Sequence, residues 1–263
     1  MSHFTVAVIC DHPDDIIRLL APYQENNMGD CPKEFMEFCE AEGEIGMDWE
    51  NQKDEHESYD AYLEHCGYVK DEKSGKWGYY ENPNAKWDWY ELGGRWMGSL
   101  LIKEDEFVED EAGQGRPGVF GNKIANTPNK YVWVDVCKVS LIQWEKMQEI
   151  AKFELLKNEG VDGDVWEILM DENHEKRMDY TWYKVDYFKE KYGNKENYVK
   201  SQINFATYAV ITPDGEWHAP GDMGWFGFSS ESNEDEHLFN DNFHKNFIEP
   251  YQDKFIAIMD CHI

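Results

Sequence analysis

Residues 205–215 read Phe-Ala-Thr-Tyr-Ala-Val-Ile-Thr-Pro-Asp-Gly, and this stretch decides the fold. The apolar and β-branched run Phe205–Thr212 predicts a strand. Pro213-Asp214-Gly215 is typical of a tight turn, which reverses the strand into a hairpin. Strands interleave with helices along the chain, but hairpin signals outnumber convincing strand–helix–strand units. We therefore predict an α+β fold with a mainly antiparallel sheet flanked by helices.

Further strands are predicted on both sides of this hairpin. Phe4–Cys10 and Lys254–Cys261 are short apolar runs near the two ends of the chain, which is typical of buried strands. Tyr131–Val139 alternates apolar and polar residues, and Trp96–Ile102 is a shorter apolar segment. Together with the hairpin, these segments account for the predicted sheet.

Helices are predicted where capping residues precede apolar residues at helical spacing. Asp11-His12-Pro13-Asp14-Asp15 opens a short helix through Leu20, because Asp, an early Pro and first-turn acids all favour a helix start. The other predicted helices are Pro32–Ala41, Ser58–Glu64, one capped by Ser140 and ended by Asn158-Glu159-Gly160, Asp179–Tyr192, and Glu234–Phe247. We expect one domain over residues 1–263, with an acidic helical or irregular insertion at 27–80 and a mobile, glycine-rich loop at 104–125.

The charge of the chain is strongly one-sided. Its 54 acidic and 25 basic residues give a formal net charge of −29 over 263 residues. Such a chain repels phosphate groups, so direct binding to nucleic acid or to an anionic membrane is disfavoured. A basic partner protein, or a protein surface that normally holds nucleic acid, would be attracted. The alternative is that the charge serves only solubility.

The six cysteines contain no CxxC pair, which argues against a zinc ribbon and against a dense disulfide scaffold. The first residues, Met-Ser-His-Phe-Thr-Val-Ala-Val-Ile-Cys, have no basic region and too short an apolar run for a signal peptide. No stretch approaches the roughly 20 apolar residues of a membrane span. We therefore expect a cytoplasmic protein with free thiols; its oligomeric state stays open.

Residues 81–98 combine aromatic, charged and glycine residues in an unusual density. An Arg side chain can bind a carboxylate or phosphate with two hydrogen bonds, glycines allow close approach to the backbone, and indoles can stack on a ring. These residues predict an aromatic-walled ligand pocket formed by Trp87, Asp88, Tyr90, Gly93, Gly94, Arg95 and Trp96. The structural alternative is an internal Asp88–Arg95 pair that holds a tight turn beneath packed tryptophans.

Residues 212–227 form a second candidate block. Asp214, Glu216 and His218 are acids and an imidazole close together, which could perform acid–base chemistry beside Trp225. The alternative is that Asp214 belongs to the turn and that His218 is hydrogen-bonded for structural reasons. Catalytic residues are not identified, and the chain lacks the GxGxxG, Walker, HExxH and GxSxG signatures.

Two short clusters lie at predicted strand ends, Cys10-Asp11-His12 and Asp260-Cys261-His262. If the two strands were parallel neighbours, the clusters would meet and could bind a metal ion. If the strands were antiparallel, the clusters would lie at opposite edges of the sheet. Adjacent residues of a strand also point to opposite faces, so we predict neither a metal site nor a cofactor.

Three blocks resemble a family of uncharacterised proteins encoded by bacteriophages, prophages and some bacterial genomes. They are Ser-His-Phe-Thr-Val-Ala-Val at 2–8, Asn-Pro-Asn-Ala-Lys-Trp-Asp-Trp-Tyr-Glu-Leu-Gly-Gly-Arg-Trp at 82–96, and Thr-Pro-Asp-Gly-Glu-Trp-His-Ala-Pro-Gly-Asp-Met-Gly-Trp-Phe-Gly at 212–227. The terminal Asp260-Cys261-His262-Ile263 also fits. The resemblance implies a viral or mobile-element origin and a host-cell cytoplasmic location. It implies no particular reaction.

Two functions are compatible with these observations. The first is a phage-type accessory binding protein that inhibits a host protein, such as a defence component, through an acidic surface. Small accessory phage proteins often antagonise host defence, which is an analogy and not a deduction from residues. The second is an enzyme or sequestering protein for a nucleotide-like or phosphorylated ligand, held by the aromatic residues and Arg95. A structural protein of the particle is a third, less favoured possibility.

Overall fold

The computed structural model describes residues 3–41, 49, 53–107, 130–159, 165–172, 181–223 and 229–263, and its fold is α+β. Within these ranges the helices are α1 (Ile16–Leu20), α2 (Tyr59–His65), α3 (Trp144–Glu159), α4 (Val165–Leu169), α5 (Val185–Tyr192), α6 (Lys195–Ile203) and α7 (Asn233–Phe243). The strands are β1 (His3–Cys10), β2 (Glu37–Glu40), β3 (Val69–Lys70), β4 (Trp77–Glu81), β5 (Trp89–Leu92), β6 (Leu100–Lys103), β7 (Tyr131–Val134), β8 (Val136–Lys138), β9 (Ala209–Ile211), β10 (Trp217–His218) and β11 (Phe255–His262). The predicted fold class is confirmed.

The chain forms two compact units. The larger unit contains the residues up to Leu19 together with Tyr90–Ile263, and the smaller unit is Leu20–Trp89. The acidic insertion predicted at 27–80 falls inside the smaller unit. Each unit has its own sheet and its own buried apolar cluster.

The main sheet of the larger unit has the strand order β10-β9-β1-β11-β5, with β8 also paired to β11. Strand β11 runs antiparallel to β1, so that His3 lies opposite His262 and Cys10 opposite Phe255. Strand β9 runs parallel to β1 and antiparallel to β10. The sheet is therefore mixed, because the hairpin predicted at 205–215 adds its first strand in parallel to β1.

The core of the larger unit lies against this sheet. Apolar residues of the central strands, including Ile9, Val210 and Ile256, are fully buried. They belong to one cluster with Met147 of α3 and Phe243 of α7. A separate two-stranded sheet of β6 and β7 contributes to the same cluster. Helical spacing on α3 and strand alternation in the sheet thus bring their apolar side chains to one core.

The smaller unit contains an antiparallel sheet with the order β2-β4-β3 and the helix α2. Ser58 caps α2, because its side chain accepts a hydrogen bond from the Ala61 amide. The helix buries Tyr62 and Leu63, against which Trp77 of β4 packs. This small core leaves most of the unit's charged side chains at its surface.

Several predicted elements have different bounds or a different type. The helix predicted at Pro32–Ala41 is wrong: a 3-10 turn at Lys33–Phe35 leads into strand β2. The Phe38 ring lies where a Gly78 side chain would stand, and it packs edge-on against Tyr80. A cross-strand partner about forty residues away therefore overrides the local helical pattern.

Other predictions hold in outline. The strand predicted at Tyr131–Val139 is two strands broken at Asp135, and Trp96–Ile102 is a 3-10 turn followed by β6. The helix predicted from Ser140 begins at Trp144, and β9 covers only Ala209–Ile211 of its predicted range. The terminal strands and the helices at 58–64 and 234–247 are confirmed, the last continuing as a π-helical turn at His244–Ile248.

Parts of two predictions lie outside the described residues. Of the loop predicted at 104–125, only 104–107 is described, and Glu104–Glu106 form a 3-10 turn. Of the helix predicted at Asp179–Tyr192, residues 179 and 180 are not described, and α5 begins at Val185. None of the described helices combines the length and the apolar character that crossing a bilayer requires.

Candidate functional site

The residues predicted to share one pocket belong to two different units. Trp87 and Asp88 are in the smaller unit, whereas Tyr90, Gly93, Gly94, Arg95 and Trp96 are in the larger one. Trp225, from the second block, lies outside the described residues.

The Gly93-Gly94 pair is required by the close approach of two buried aspartates. Both glycines have positive φ angles, 70° and 46°. A Cβ atom on Gly93 would stand 2.5 Å from Asp135 Oδ1, and one on Gly94 would collide with the Asp260 side chain. Asp135 and Asp260 are only 0% and 1% exposed. Glycine at both positions thus gives two interior carboxylates access to the backbone of the turn.

Backbone amides of this turn bind the same two carboxylates. The Arg95 N–H donates to Asp260 Oδ2 over 2.9 Å, and the Gly98 N–H donates to Asp135 Oδ1 over 2.6 Å. Asp260 Oδ1 lies 2.7 Å from Nδ1 of His3, whose ring meets that of His262 edge-on. Within the larger unit, the acids that hold the turn are therefore Asp135 and Asp260.

The Arg95 guanidinium does not take part in this network. Its side chain is exposed, and within the described part of the larger unit it forms no ion pair. Arg95 does not line either of the two cavities described below, but Trp96 lines the more apolar one. Tyr90 is half-buried, and burial raises the pKa of its hydroxyl. The turn thus serves the fold through its backbone.

Trp87 and Asp88 stabilise the smaller unit. Trp87 is 3% exposed, and its carbonyl oxygen accepts a 2.7 Å hydrogen bond from the Glu25 N–H. The Asp88 carboxylate accepts a hydrogen bond from the Asn27 amide and another from the Trp89 N–H. Asn82, also buried, donates to the carbonyls of Pro22 and Gln24. These hydrogen bonds connect the first residues of the smaller unit to the segment before β5.

The β9–β10 hairpin forms a closed local network around Thr212. The Thr212 hydroxyl donates to Asp214 Oδ1 over 2.6 Å and lies 3.0 Å from Nε2 of His218. This hydroxyl lowers the pKa of the Asp214 carboxyl. The His218 ring packs on Phe247 with centroids 5.3 Å apart, while Glu216 is exposed. The hydrogen bonds of Asp214 and His218 are therefore those of a turn. Neither residue lines the two cavities described below.

The antiparallel pairing of β1 and β11 separates the two clusters that a metal ion would need. Cys10 lies opposite Phe255, whereas Asp260-Cys261-His262 pairs with the other end of β1. Among the described residues no group of three or more His, Cys, Asp or Glu side chains is arranged to hold a metal ion. All six cysteines are free thiols, and burial raises the pKa of Cys10 to about 12, which suppresses its nucleophilic thiolate form.

Two adjoining cavities in the larger unit were not predicted. Their volumes are about 550 and 370 Å³, and five residues line both of them: Asn204, Ala206, Thr207, Asn240 and Asp241. We call the two together the cleft, with a polar half and an aromatic half. It is framed by α6 and α7, and α6 is a helix that sequence reasoning missed. Trp144 falls within the helix predicted from Ser140, but no local signal marked Glu231.

Comparisons of the chain with models of protein families, with curated proteins and with solved structures return no match.

Proposed function

We propose that this is a phage-type accessory protein that binds and inhibits a host protein through an acidic surface. The partner would present a basic surface, of the kind that normally holds nucleic acid, and a defence component is one such class of partner. The observation that carries the proposal is the uneven distribution of the −29 charge between the two units. Gly93, Gly94 and Asp214, which were candidates for an anion-binding or catalytic centre, support turns instead.

The charge is concentrated in the smaller unit. Leu20–Trp89 holds 18 acidic and 6 basic residues, a net charge of −12 over 70 residues. The rest of the chain holds 36 acidic and 19 basic residues, a net charge of −17 over 193 residues. The smaller unit therefore carries about twice the charge per residue. Such an excess raises the rate of encounter with a basic partner.

Exposed carboxylates around helix α2 supply part of this excess. Asp54, Glu55 and Glu57 precede the helix and Glu64 lies on it, and all four are exposed. Within the described residues, none of them forms a salt bridge, in contrast to Asp60, which pairs with Lys70 over 3.1 Å. Carboxylates without a cation are available to a basic partner without first breaking an internal pair.

A pull-down from bacterial lysate with a matched pair of variants tests the proposal. The first variant, Asp54→Asn/Glu55→Gln/Glu57→Gln, removes three carboxylates from the smaller unit. The second, Glu104→Gln/Asp105→Asn/Glu106→Gln, removes three exposed carboxylates from the larger unit. Because both variants change the net charge equally, a difference between them locates the interaction. Captured proteins are identified by mass spectrometry and then purified for direct binding.

We expect the unaltered chain and the second variant to retain a basic protein at low salt. The first variant should retain much less of it. Raising the salt to about 1 M, where the screening length is about 3 Å, should release the partner. Absence of any captured protein at low salt, or equal retention by both variants, would argue against an acidic binding surface on the smaller unit.

A second proposal is that the protein sequesters a small ligand. The aromatic half of the cleft, which Trp96 lines, favours this proposal. Because Arg95 does not line the cleft, its guanidinium is not placed to bind a nucleotide-like anion there. A thermal-shift screen of nucleotides and phosphorylated metabolites separates the two cases. A shift that disappears in Arg95→Ala would restore the nucleotide hypothesis, and no shift with any compound would remove it.

A further inference from the structure

The polar half of the cleft contains one more carboxylate than cation. Lys191 pairs with Glu236 over 2.9 Å, and Lys200 pairs with Asp241 over 2.6 Å. Both lysines are thus already compensated by neighbouring acids. Glu231 is a third carboxylate lining this half. The balance leaves a negative charge at Glu231, inside a protein whose net charge is already −29.

One oxygen of the Glu231 carboxylate distinguishes this residue from the other acids that line the polar half. Its Oε2 is buried, and among the described residues no group donates a hydrogen bond to it. A carboxylate oxygen held away from water without a donor costs free energy, which a donor in the cleft would recover. A ligand in the cleft reaches this oxygen once the Glu231 side chain adopts another rotamer, which requires no movement of the backbone. The missing partner is a cation or a strong N–H donor.

The backbone at Glu231 is held in place by its surroundings. A Cβ atom on Gly221 would stand 2.5 Å from the Glu231 nitrogen, so the two segments touch. The Asp222 N–H donates to Ser230 Oγ over 2.9 Å, and the Ser230 N–H donates to the Asp222 carbonyl over 3.0 Å. The next residue, Ser232, caps α7. A carboxylate on such a fixed base is preorganised to receive a ligand.

The aromatic half of the cleft offers ring surface beside the polar half. Its walls include Trp96, Trp144, Phe205 and Phe243. The Trp144 ring packs against Phe205 and His244 with centroids 5.4 and 5.7 Å apart. These contacts hold the Trp144 ring in place, and an aromatic side chain of a ligand can pack on such a wall.

We infer that the cleft binds a segment of the basic partner protein in which an Arg or Lys side chain neighbours an aromatic one. The cation pairs with Glu231, and the aromatic side chain packs against the wall that Trp96, Trp144 and Phe205 form. This inference rests on the proposed function, whose partner is basic. It adds a specific docking site on the larger unit.

Short peptides provide the probe. Ac-Phe-Arg-NH2, Ac-Arg-Phe-NH2 and Ac-Phe-Gly-Arg-NH2 present the two side chains at different spacings. The same peptides with citrulline in place of arginine keep the shape and remove the charge. Isothermal titration calorimetry measures each peptide against the unaltered chain, Glu231→Gln, Trp144→Phe and Glu190→Gln. Glu190 is an exposed residue of α5 outside the cleft, and its replacement changes the net charge by the same amount as Glu231→Gln.

At least one arginine peptide should bind the unaltered chain and Glu190→Gln, with Kd near or below about 1 mM, the range expected for a ligand of this size. Citrulline, or Glu231→Gln, should weaken that binding about tenfold, as loss of one charge-assisted hydrogen bond does. Trp144→Phe should weaken it several-fold, because the smaller ring offers less aromatic surface. The thermal midpoints of the variants establish that each is folded.

Three results would overturn the inference: no binding by any arginine peptide, equal binding of the citrulline peptides, or equal effects of Glu231→Gln and Glu190→Gln. These results are distinguishable from failure of the proposed function. If the peptides fail while neutralising Asp54, Glu55 and Glu57 still abolishes capture of a host protein, the acidic surface stands without the cleft. If the peptides bind but no host protein is captured, the binding site in the cleft stands without the acidic surface.

Discussion

Asp260 and Glu231 are both acids of the larger unit with buried carboxylate oxygens, and they differ in what surrounds them. Asp260 is 1% exposed, receives the Arg95 N–H and lies against His3. Glu231 Oε2 is buried with no donor among the described residues, and its side chain lines a cavity. A satisfied buried carboxylate stabilises the fold, whereas an unsatisfied one is a cost that a ligand can remove. The comparison separates a structural acid from a ligand-facing one.

The largest loss of stability is expected where an added side chain would collide with Asp260. Gly94→Ala places a Cβ against the Asp260 side chain at a φ of 46°. Overpacking together with left-handed backbone strain should reduce the free energy of unfolding by about 2–4 kcal/mol. Urea denaturation measures this loss.

The control for Gly94→Ala is Gly193→Ala. Gly193 has a φ of 71° and no atom within 4 Å of the added Cβ. It should lose only the strain, about 1–2 kcal/mol. Equal losses at the two positions would mean that the approach to Asp260 has no special cost, and the structural part of the comparison would be wrong.

Asp260→Asn should come next in size. The substitution keeps the shape but removes the charge that faces His3 and the Arg95 N–H. Loss of the charge-assisted bonds should reduce the free energy of unfolding by about 2 kcal/mol. Denaturation near neutral pH measures it, with exposed Asp186→Asn as the control. A loss no greater than that of the control would contradict a structural role for Asp260.

A smaller effect is expected in the β9–β10 hairpin. The Thr212 hydroxyl lowers the pKa of Asp214 from its ordinary value of 3.8. Because the folded-state pKa is the lower one, the stabilisation is present above pH 3.8 and is lost as the pH falls through the lowered pKa. An NMR titration should place the Asp214 carboxyl below its ordinary pKa, and Thr212→Val should return it towards that value. An unchanged titration in Thr212→Val would exclude the hydroxyl as the cause.

The smallest effect is expected at Arg95. Its guanidinium is exposed and forms no ion pair within the described part of the larger unit. Arg95→Ala should therefore change the free energy of unfolding by no more than about 0.5 kcal/mol, since the hydrogen bond to Asp260 comes from the backbone. A loss above 1 kcal/mol would assign the guanidinium a structural role that the geometry does not give it.

Local chemistry made parts of the fold predictable. Gly215 has a φ of 89° and its N–H donates to the Thr212 carbonyl, as the sequence Pro213-Asp214-Gly215 implies. The terminal strands were predictable from short apolar runs, because burial on both faces needs no alternation. Strand β2 was not predictable from its own residues. Its pairing with β4 determines its structure, and the spacing of its apolar residues does not indicate a strand.

The site was less predictable than the fold, because its determinants are distant in sequence. Arg95 and Asp260 are 165 residues apart, and nothing near Gly94 indicates which acid will approach it. The glycine pair was correctly singled out as unusual, but the reason lies in strands that meet only after folding. For Glu231 the decisive property is that no described residue donates to its Oε2, and no sequence pattern encodes such an absence.

Side-by-side denaturation and peptide titration of Glu231→Gln and Asp260→Asn test the central claim most directly. The two variants should behave in opposite ways. Glu231→Gln should be as stable as the unaltered chain or more stable, and should bind the arginine peptides about tenfold less tightly. Asp260→Asn should lose about 2 kcal/mol and bind them normally. A Glu231→Gln protein that loses stability like Asp260→Asn and keeps its affinity for the peptides would contradict the account.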